Sequence, residues 1–243
     1  MPVAEKLVRK LEMRARLDDR DRAAIAALPV QRRTYTPPAY LLREGEPSRR
    51  YCSFIMSGLA FRQKLTIMGA RQIVSLHMPG DFLDLGLIFL PHADYSVQAL
   101  TPLDVVEIDR LVLAKLARER SNIARAMWID SLIEGAMLRE WVVNVGRRDA
   151  RSRLAHLFCE FAVRLEASGA APEDGFEFPM TQEQLGDAAG LTSIHVNRTL
   201  KALAVEGLIE KDRRHVRFKN WQALGKVMEF NPDYLHIDRI RGD

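Results

Sequence analysis

Residues 181–210, TQEQLGDAAGLTSIHVNRTLKALAVEGLIE, constrain this 243-residue chain more than any other stretch. Thr181 with Gln184 three residues on predicts a capping box, hydroxyl and amide each satisfying a backbone N–H at a helix start. Leu185, Ala188 and Ala189 supply an inward face, and Gly186 is small where a second helix must cross closely. Gly190 falls where a left-handed residue ends a helix without steric cost. Thr192 or Ser193 can cap the next helix. Val196, Leu200 and Leu203, spaced by four and three, share one buried face. Small residue, glycine four on, β-branched residue six further: that is helix-turn-helix spacing. An ordinary αα-corner shares the glycine but does not need the full set.

The second helix opens with groups that suit DNA bases. Arg198 can bond guanine in a bidentate way and Asn197 adenine; Ile194 suits a thymine methyl, and Ser193 and His195 offer adaptable bonds. A recognition helix sets its N-terminal residues against base edges in the major groove. These five are the expected base contacts. For each alone a solvated helix face would serve as explanation; their clustering at one helix end argues otherwise. Downstream, LIEKD and HVRFK predict a hairpin, or wing, turning at Arg213 and ringed by Lys211, Arg213, Arg214, Arg217 and Lys219. The expected phosphate contacts are Thr181, Gln182, Lys201, Lys211, Arg213 and Arg214.

Composition sets the bounds. A hydrophobic share of 47% suits packed cores, and the net charge of +4 permits nucleic-acid binding without demanding it. No run of about 18 apolar residues predicts a membrane span, and the N-terminus lacks a signal-peptide core. Two distant cysteines, Cys52 and Cys159, provide neither a disulfide framework nor a metal cluster. A reducing, cytoplasmic setting is the simplest fit. No phosphate-cradling glycine loop, nucleophile elbow or metal-binding helix motif is present, and the six histidines are scattered. No catalytic or metal-ligating residue is therefore assigned, and the chain is not expected to be an enzyme.

Upstream, residues 3–28 read as helix with a break near Leu17 and a new start at Asp18; Pro29 ends it. From 30 to 109, short apolar or alternating runs separated by turn residues predict a small antiparallel barrel or roll. Residues 111–118 form a short helix. Residues 122–145 form a long one, apolar around most of its circumference and so buried on more than one side. Asp130, Glu134 and Glu140 interrupt every strict heptad seam. One side suits the roll, the other a second subunit. Asp149 caps a helix over 150–166 whose inner face is Leu154, Leu157, Phe158, Phe161 and Leu165; FEFPM is a short strand, and Asn220 caps a last helix. The expected fold class is α+β. The expected domains are an N-terminal helix and β-roll sensor (1–118), a long dimerisation helix (119–148) and a winged helix-turn-helix (149–243).

HMPGDF (77–82), LGLIF (85–89) and VNRTLKAL (196–203), in this order of elements, resemble the Crp/Fnr family of bacterial transcription regulators, over nearly the whole chain. The resemblance implies a homodimer on double-stranded DNA, its half-sites about 34–36 Å apart, with the roll as a sensor coupled allosterically to the DNA-binding domains. RNA polymerase is a candidate partner. A ligand-binding signalling protein acting through protein partners is the alternative.

Departures from the family fall mainly in the sensor. Cyclic-nucleotide binders carry a Gly-Glu pair after Gly-Asp-Phe and an Arg-Ser/Thr pair further on. Here Gly80–Asp81–Phe82 leads to Leu83–Asp84–Leu85–Gly86, one residue short, and Tyr95–Ser96 stands at the second pair. Without that arginine a cyclic phosphate loses its charge-assisted partner, so cAMP is not expected. The candidate effector pocket, for an effector of unknown identity, is Gly80, Asp84, Leu85, Tyr95, Ser96, Leu138 and Arg139. Asp84 stands in for the Glu, and Arg139 offers a cation from another direction. No cysteine precedes Cys52, which argues against the N-terminal iron–sulfur ligands of the Fnr branch. His77 reads as a structural residue, not as the haem ligand of another branch. In the recognition helix Ile194 takes the place of the family's Glu while Arg198 keeps its Arg, so a different operator core is expected.

Overall fold

Two short helices open the chain, α1 (Val3–Glu12) and α2 (Asp19–Ala26). Asp18 caps the second through Asp21 N at 2.7 Å, and Asp21 returns the bond in a reciprocal box, so the expected start is borne out. A computed structural model describes residues 2–47, 49–169, 171, 175–211, 216–218, 220–228 and 230–237.

The strands follow: β1 (Val30–Tyr35), β2 (Tyr40–Leu42), β3 (Tyr51–Ser57), β4 (Ala60–Leu65), β5 (Arg71–His77), β6 (Ser96–Ala99) and β7 (Leu103–Asp109). They form two sheets, ordered β1–β7–β3 and β2–β6–β4–β5. In the first sheet, β7 runs antiparallel to both neighbours, with Val106 opposite Arg32 and Phe54. Alternation along β3 and β7 assigns the two faces. Phe54, Met56, Val106 and Ile108 pack with Leu7, Leu11 and Ile25 of the opening helices and with Ile123 and Met127. Ile55, Leu103 and Val105 point the other way, onto Leu41, Leu42, Leu83, Leu87 and Val97 in the interior of the roll. The LGLIF segment, given no element from sequence, forms a 3-10 turn over Leu85–Ile88.

Helices α3 (Arg110–Glu119), α4 (Ser121–Arg147) and α5 (Ala150–Ser168) come next. Asp149 caps α5 through Ser152 N at 2.7 Å, as expected. After β8 (Phe176–Phe178) come α6 (Gln182–Ala189), α7 (Ser193–Val205), the wing strands β9 (Glu210–Lys211) and β10 (Val216–Phe218), and α8 (Trp221–Val227). Strand order in the wing sheet is β8–β10–β9. Phe158 and Phe161 of α5 pack edge-on against Phe178 of that sheet, with ring centroids 5.0 and 4.9 Å apart.

The chain divides into two compact units. One runs up to Arg62 and resumes over His77–Ala136; the other takes Gln63–Leu76 and Met137–Leu235. Most of β5 therefore belongs with the helix-turn-helix. Within that unit Arg71 Nε donates to Asp187 Oδ2 on α6 at 2.6 Å, and Arg164 of α5 donates to the Leu76 carbonyl at 2.8 Å. Local sequence patterns carry no trace of these ties.

Candidate nucleic-acid interface

The Thr181–Gln184 box closes as the spacing predicts, Gln184 N to Thr181 Oγ1 at 3.2 Å and Thr181 N to Gln184 Oε1 at 2.9 Å. Gly190 ends α6 in the left-handed region at φ 63°. At Gly186 a Cβ would lie 2.5 Å from the Leu191 carbonyl oxygen, so only glycine admits this turn unchanged. Thr192, not Ser193, caps α7, accepting from His195 N at 3.3 Å. Arg153 of α5 donates to the Ala189 carbonyl at 3.0 Å and closes the end of α6 from outside.

Val196, Leu200 and Leu203 bury the inner face of α7. On the other side Ile194, Arg198 and Lys201 follow one another by four and three residues and form a continuous face, with Asn197 on its flank. Ile194 is 72% exposed. Ser193, His195, Arg198 and Lys201 are also exposed, while Asn197 is half-buried. The structure thus gathers all five expected base contacts at the open start of one helix. Lys211 of the wing reaches the same helix, donating from Nζ to Asn197 Oδ1 at 3.0 Å. Burial, and then the charge of Lys201, lowers the pKa of this ammonium. Of the other expected phosphate contacts, Thr181 is exposed and Gln182 half-buried at the start of α6. Arg213 and Arg214, like Lys219, lie outside the described residues.

Known proteins share this arrangement. Residues 152–227 match the Crp-like helix-turn-helix domain family and residues 32–120 the cyclic nucleotide-binding domain family. The chain belongs to the Crp/Fnr family of transcription regulators. It is 28% identical over 189 residues, 77% of each chain, to a probable transcriptional activator of Rhizobium leguminosarum bv. viciae. It is 29% identical over 170 residues, 68% of each chain, to the transcriptional activator protein FnrL of Cereibacter sphaeroides. Among solved structures, FixK2 of Bradyrhizobium japonicum superposes with a TM-score of 0.70 at 27% identity, covering 82% of this chain and 97% of that one. This Crp/Fnr regulator therefore carries a DNA-binding helix-turn-helix domain. Among its described residues no helix is long and apolar enough to cross a membrane.

The regulator's cyclic nucleotide-binding-like domain has a polar cluster inside the roll, built around Arg62 of β4. Arg62 Nε and an Nη donate to the Leu83 carbonyl at 3.1 and 2.7 Å, and its other Nη pairs with Glu134 of α4. The guanidinium sits over the Tyr95 ring, 4.4 Å from its centroid. Asp84 is buried, accepting from Ser53 N at 2.7 Å. Burial pushes its pKa up to about 6, against the Ser53 N–H, the Cys52 thiol and the charges of Arg49 and Arg62. Burial likewise raises the Glu134 carboxyl, against the charge of Arg62. Of the expected pocket residues, Asp84 and Tyr95 meet around Arg62. Leu85 is buried in the 3-10 turn. Ser96 Oγ accepts from Glu44 N at 2.9 Å, and Gly80 donates to the Ile55 carbonyl at 3.0 Å. Leu138 and Arg139 are exposed on α4 in the other unit. His77 is buried, its Nδ1 4.0 Å from an Asp81 carboxylate oxygen.

Sequence reading passed over Arg62 and registered Glu134 only as a break in a heptad. The available signal was an arginine inside AFRQKL, a strand otherwise apolar at its start.

Proposed function

We propose that this regulator reads a palindromic operator as a homodimer, and that its roll does not receive a cyclic nucleotide. The observation that carries the DNA reading is the open face of α7, where Ile194, Arg198 and Lys201 stand opposite the buried Val196, Leu200 and Leu203, with Asn197 at its edge. Arg198 supplies a bidentate contact to guanine; Ile194, where the family has Glu, offers only an apolar surface to a thymine methyl. Ser193 and His195 flank them, and Thr181, Gln182 and Lys201 bind backbone phosphates.

Support for the dimer comes from α4. Its Ile123, Met127, Ile133 and Trp141 are buried, yet Trp128 and Val142 are 69% and 68% exposed, with Leu132 and Val143 beside them. A single chain leaves that stripe in water, and a second copy of α4 covers it. Support against a cyclic nucleotide comes from the roll. The cations acting on Asp84 there are already committed, Arg62 to Glu134 and Leu83 and Arg49 to Glu107 and Leu41, and the Asp84 carboxylate turns inward to Ser53.

Selection of bound DNA from a random duplex library tests the reading. Wild type should enrich a palindrome, and Arg198→Ala should lose about 1–3 kcal/mol and relax one position per half-site. Unchanged selectivity in the variant overturns the role of Arg198. Calorimetry with cAMP and cGMP tests the roll, and micromolar binding of either overturns that part.

A further inference from the structure

The contact between Lys211 and Asn197 changes what Asn197 can read. An ammonium has only donors, so the Asn197 atom facing Lys211 Nζ at 3.0 Å is necessarily the oxygen. Adenine recognition by asparagine needs both ends of the amide: the oxygen accepts from N6–H2 while the nitrogen donates to N7. Here the oxygen already faces a cation. An adenine amino group brought to the same oxygen would also meet that positive charge. The amide NH2 remains as the reading group, and it offers only donors. Its best complement is a base edge that presents acceptors with no amino group beside them, guanine N7 and O6 or thymine O4; adenine offers N7 alone, with its amino group brought towards the Lys211 charge.

The fold gives this contact a fixed origin. Asn197 lies on α7 between Ile194 and Arg198, half-buried at the edge of the open face. Lys211 ends β9, whose partner β10 holds it in register, Val216 opposite Lys211. A residue of the wing thus sets the hydrogen-bonding polarity of a residue on the recognition helix. We propose that Lys211 is a specificity-determining residue, which makes Asn197 select keto bases (guanine or thymine) over amino bases (adenine or cytosine). The inference rests on the DNA-reading role given above, and it replaces a purely phosphate-binding role for Lys211.

The test is selection and competition binding on duplex DNA with the full-length chain, comparing wild type, Lys211→Met and Asn197→Ala. The base pair that Asn197 reads is the one whose preference Asn197→Ala removes. Wild type should prefer a keto base there. Lys211→Met, which keeps the apolar stem and removes the charge, should move that preference towards adenine by about tenfold, the scale of one bidentate pair. If Lys211→Met weakens all sequences alike and leaves the preference intact, Lys211 is a phosphate contact and the proposal falls. A wild-type preference for adenine at that pair also overturns it. Failure of wild type to bind any duplex would instead remove the DNA-reading role itself, which separates the two failures.

Discussion

Glu160 of α5 is the most heavily supported charge in the second unit, and Glu160→Gln measures what that support is worth. Both carboxylate oxygens lie 3.1 Å from Trp141 Nε1, and Oε2 accepts from the Tyr234 hydroxyl at 2.7 Å. Arg164 stands 3.4 Å from Oε1 and His156 Nε2 3.7 Å from Oε2. Burial alone would raise the pKa, but the neighbouring His156, the charge of Arg164 and the Tyr234 hydrogen bond hold it below the usual value of 4.5. Glutamine keeps one acceptor, turns the other towards the donors as an N–H, and leaves Arg164 without its counter-charge. Breaking one side of a buried pair costs about 3–5 kcal/mol. Arg164 keeps its bond to the Leu76 carbonyl and the Tyr234 hydroxyl can rotate, so we expect the lower end, about 3 kcal/mol. The assay is urea unfolding at pH 7, read from Trp141 with Trp128 and Trp221 replaced by phenylalanine. For a urea slope of about 1–3 kcal/mol/M, the midpoint falls by about 1–3 M. The pH dependence has a definite sign. A carboxylate whose folded pKa is depressed contributes stability that is full above its unfolded value and lost as pH falls through the folded value. The gap between wild type and variant should therefore close in acid, below pH 4.5. A midpoint shift under about 0.3 M, or a gap that persists undiminished in acid, would refute the argument that the charge organises these partners.

Asp84→Asn should act with the opposite sign. Its folded pKa is raised from 3.8 to about 6, so its stabilising contribution is full below the unfolded value and lost as pH rises through the folded one. The variant should be the more stable at pH 8, by at most about 3 kcal/mol, and equal to wild type below pH 3.8; thermal melts across pH check this. Val142→Glu places a charge in the exposed stripe of α4 and should yield monomers in sedimentation velocity where wild type sediments as a dimer; a dimeric variant would move the interface off this helix. Gly186→Ala brings a Cβ to 2.5 Å from the Leu191 carbonyl. An overpacking cost of about 1–3 kcal/mol opposes a helix-propensity gain of about 1 kcal/mol, so a lowered Tm is expected and a raised one would contradict the close crossing.

The helix-turn-helix was legible because its determinants are local. A capping box spans four residues, and a left-handed glycine and an i, i+3, i+4 apolar set need no knowledge of the rest of the chain. The same holds for Asp18, Asp149 and Asn220, each capping the helix assigned to it. The rest depended on pairs far apart in sequence. Arg62 meets Glu134 across 72 positions, Trp141 meets Glu160 across 19, and Tyr234 meets Glu160 across 74. No periodicity encodes such pairs, because each partner read alone is a charged residue on a strand or helix. Lys211 and Asn197 show the consequence most directly. Read separately, one binds a phosphate and the other an adenine; only their 3.0 Å contact couples the two roles.

Asp84 and Glu160 together also bear on how the chain meets acid. Each is a carboxylate almost without solvent contact, and each has arginine nearby. Their pKa values nevertheless move apart, because hydrogen-bond donors decide what burial does. Glu160 has an indole N–H, a phenol and an imidazole directed at it, enough to overcome desolvation. Asp84 has one backbone N–H at 2.7 Å and the weak donor of Cys52, and the guanidiniums acting on it are committed elsewhere, Arg49 to Leu41 and Glu107 and Arg62 to Leu83 and Glu134. Lowering the pH from 7 towards 4 therefore strengthens the unit that holds Asp84, while the unit that holds Glu160 weakens only further down. The two units should separate in acid, the helix-turn-helix unit melting first, with Trp141 reporting it ahead of Trp128. One coincident transition for both tryptophans at every pH would show that neither carboxylate governs the stability of its own unit.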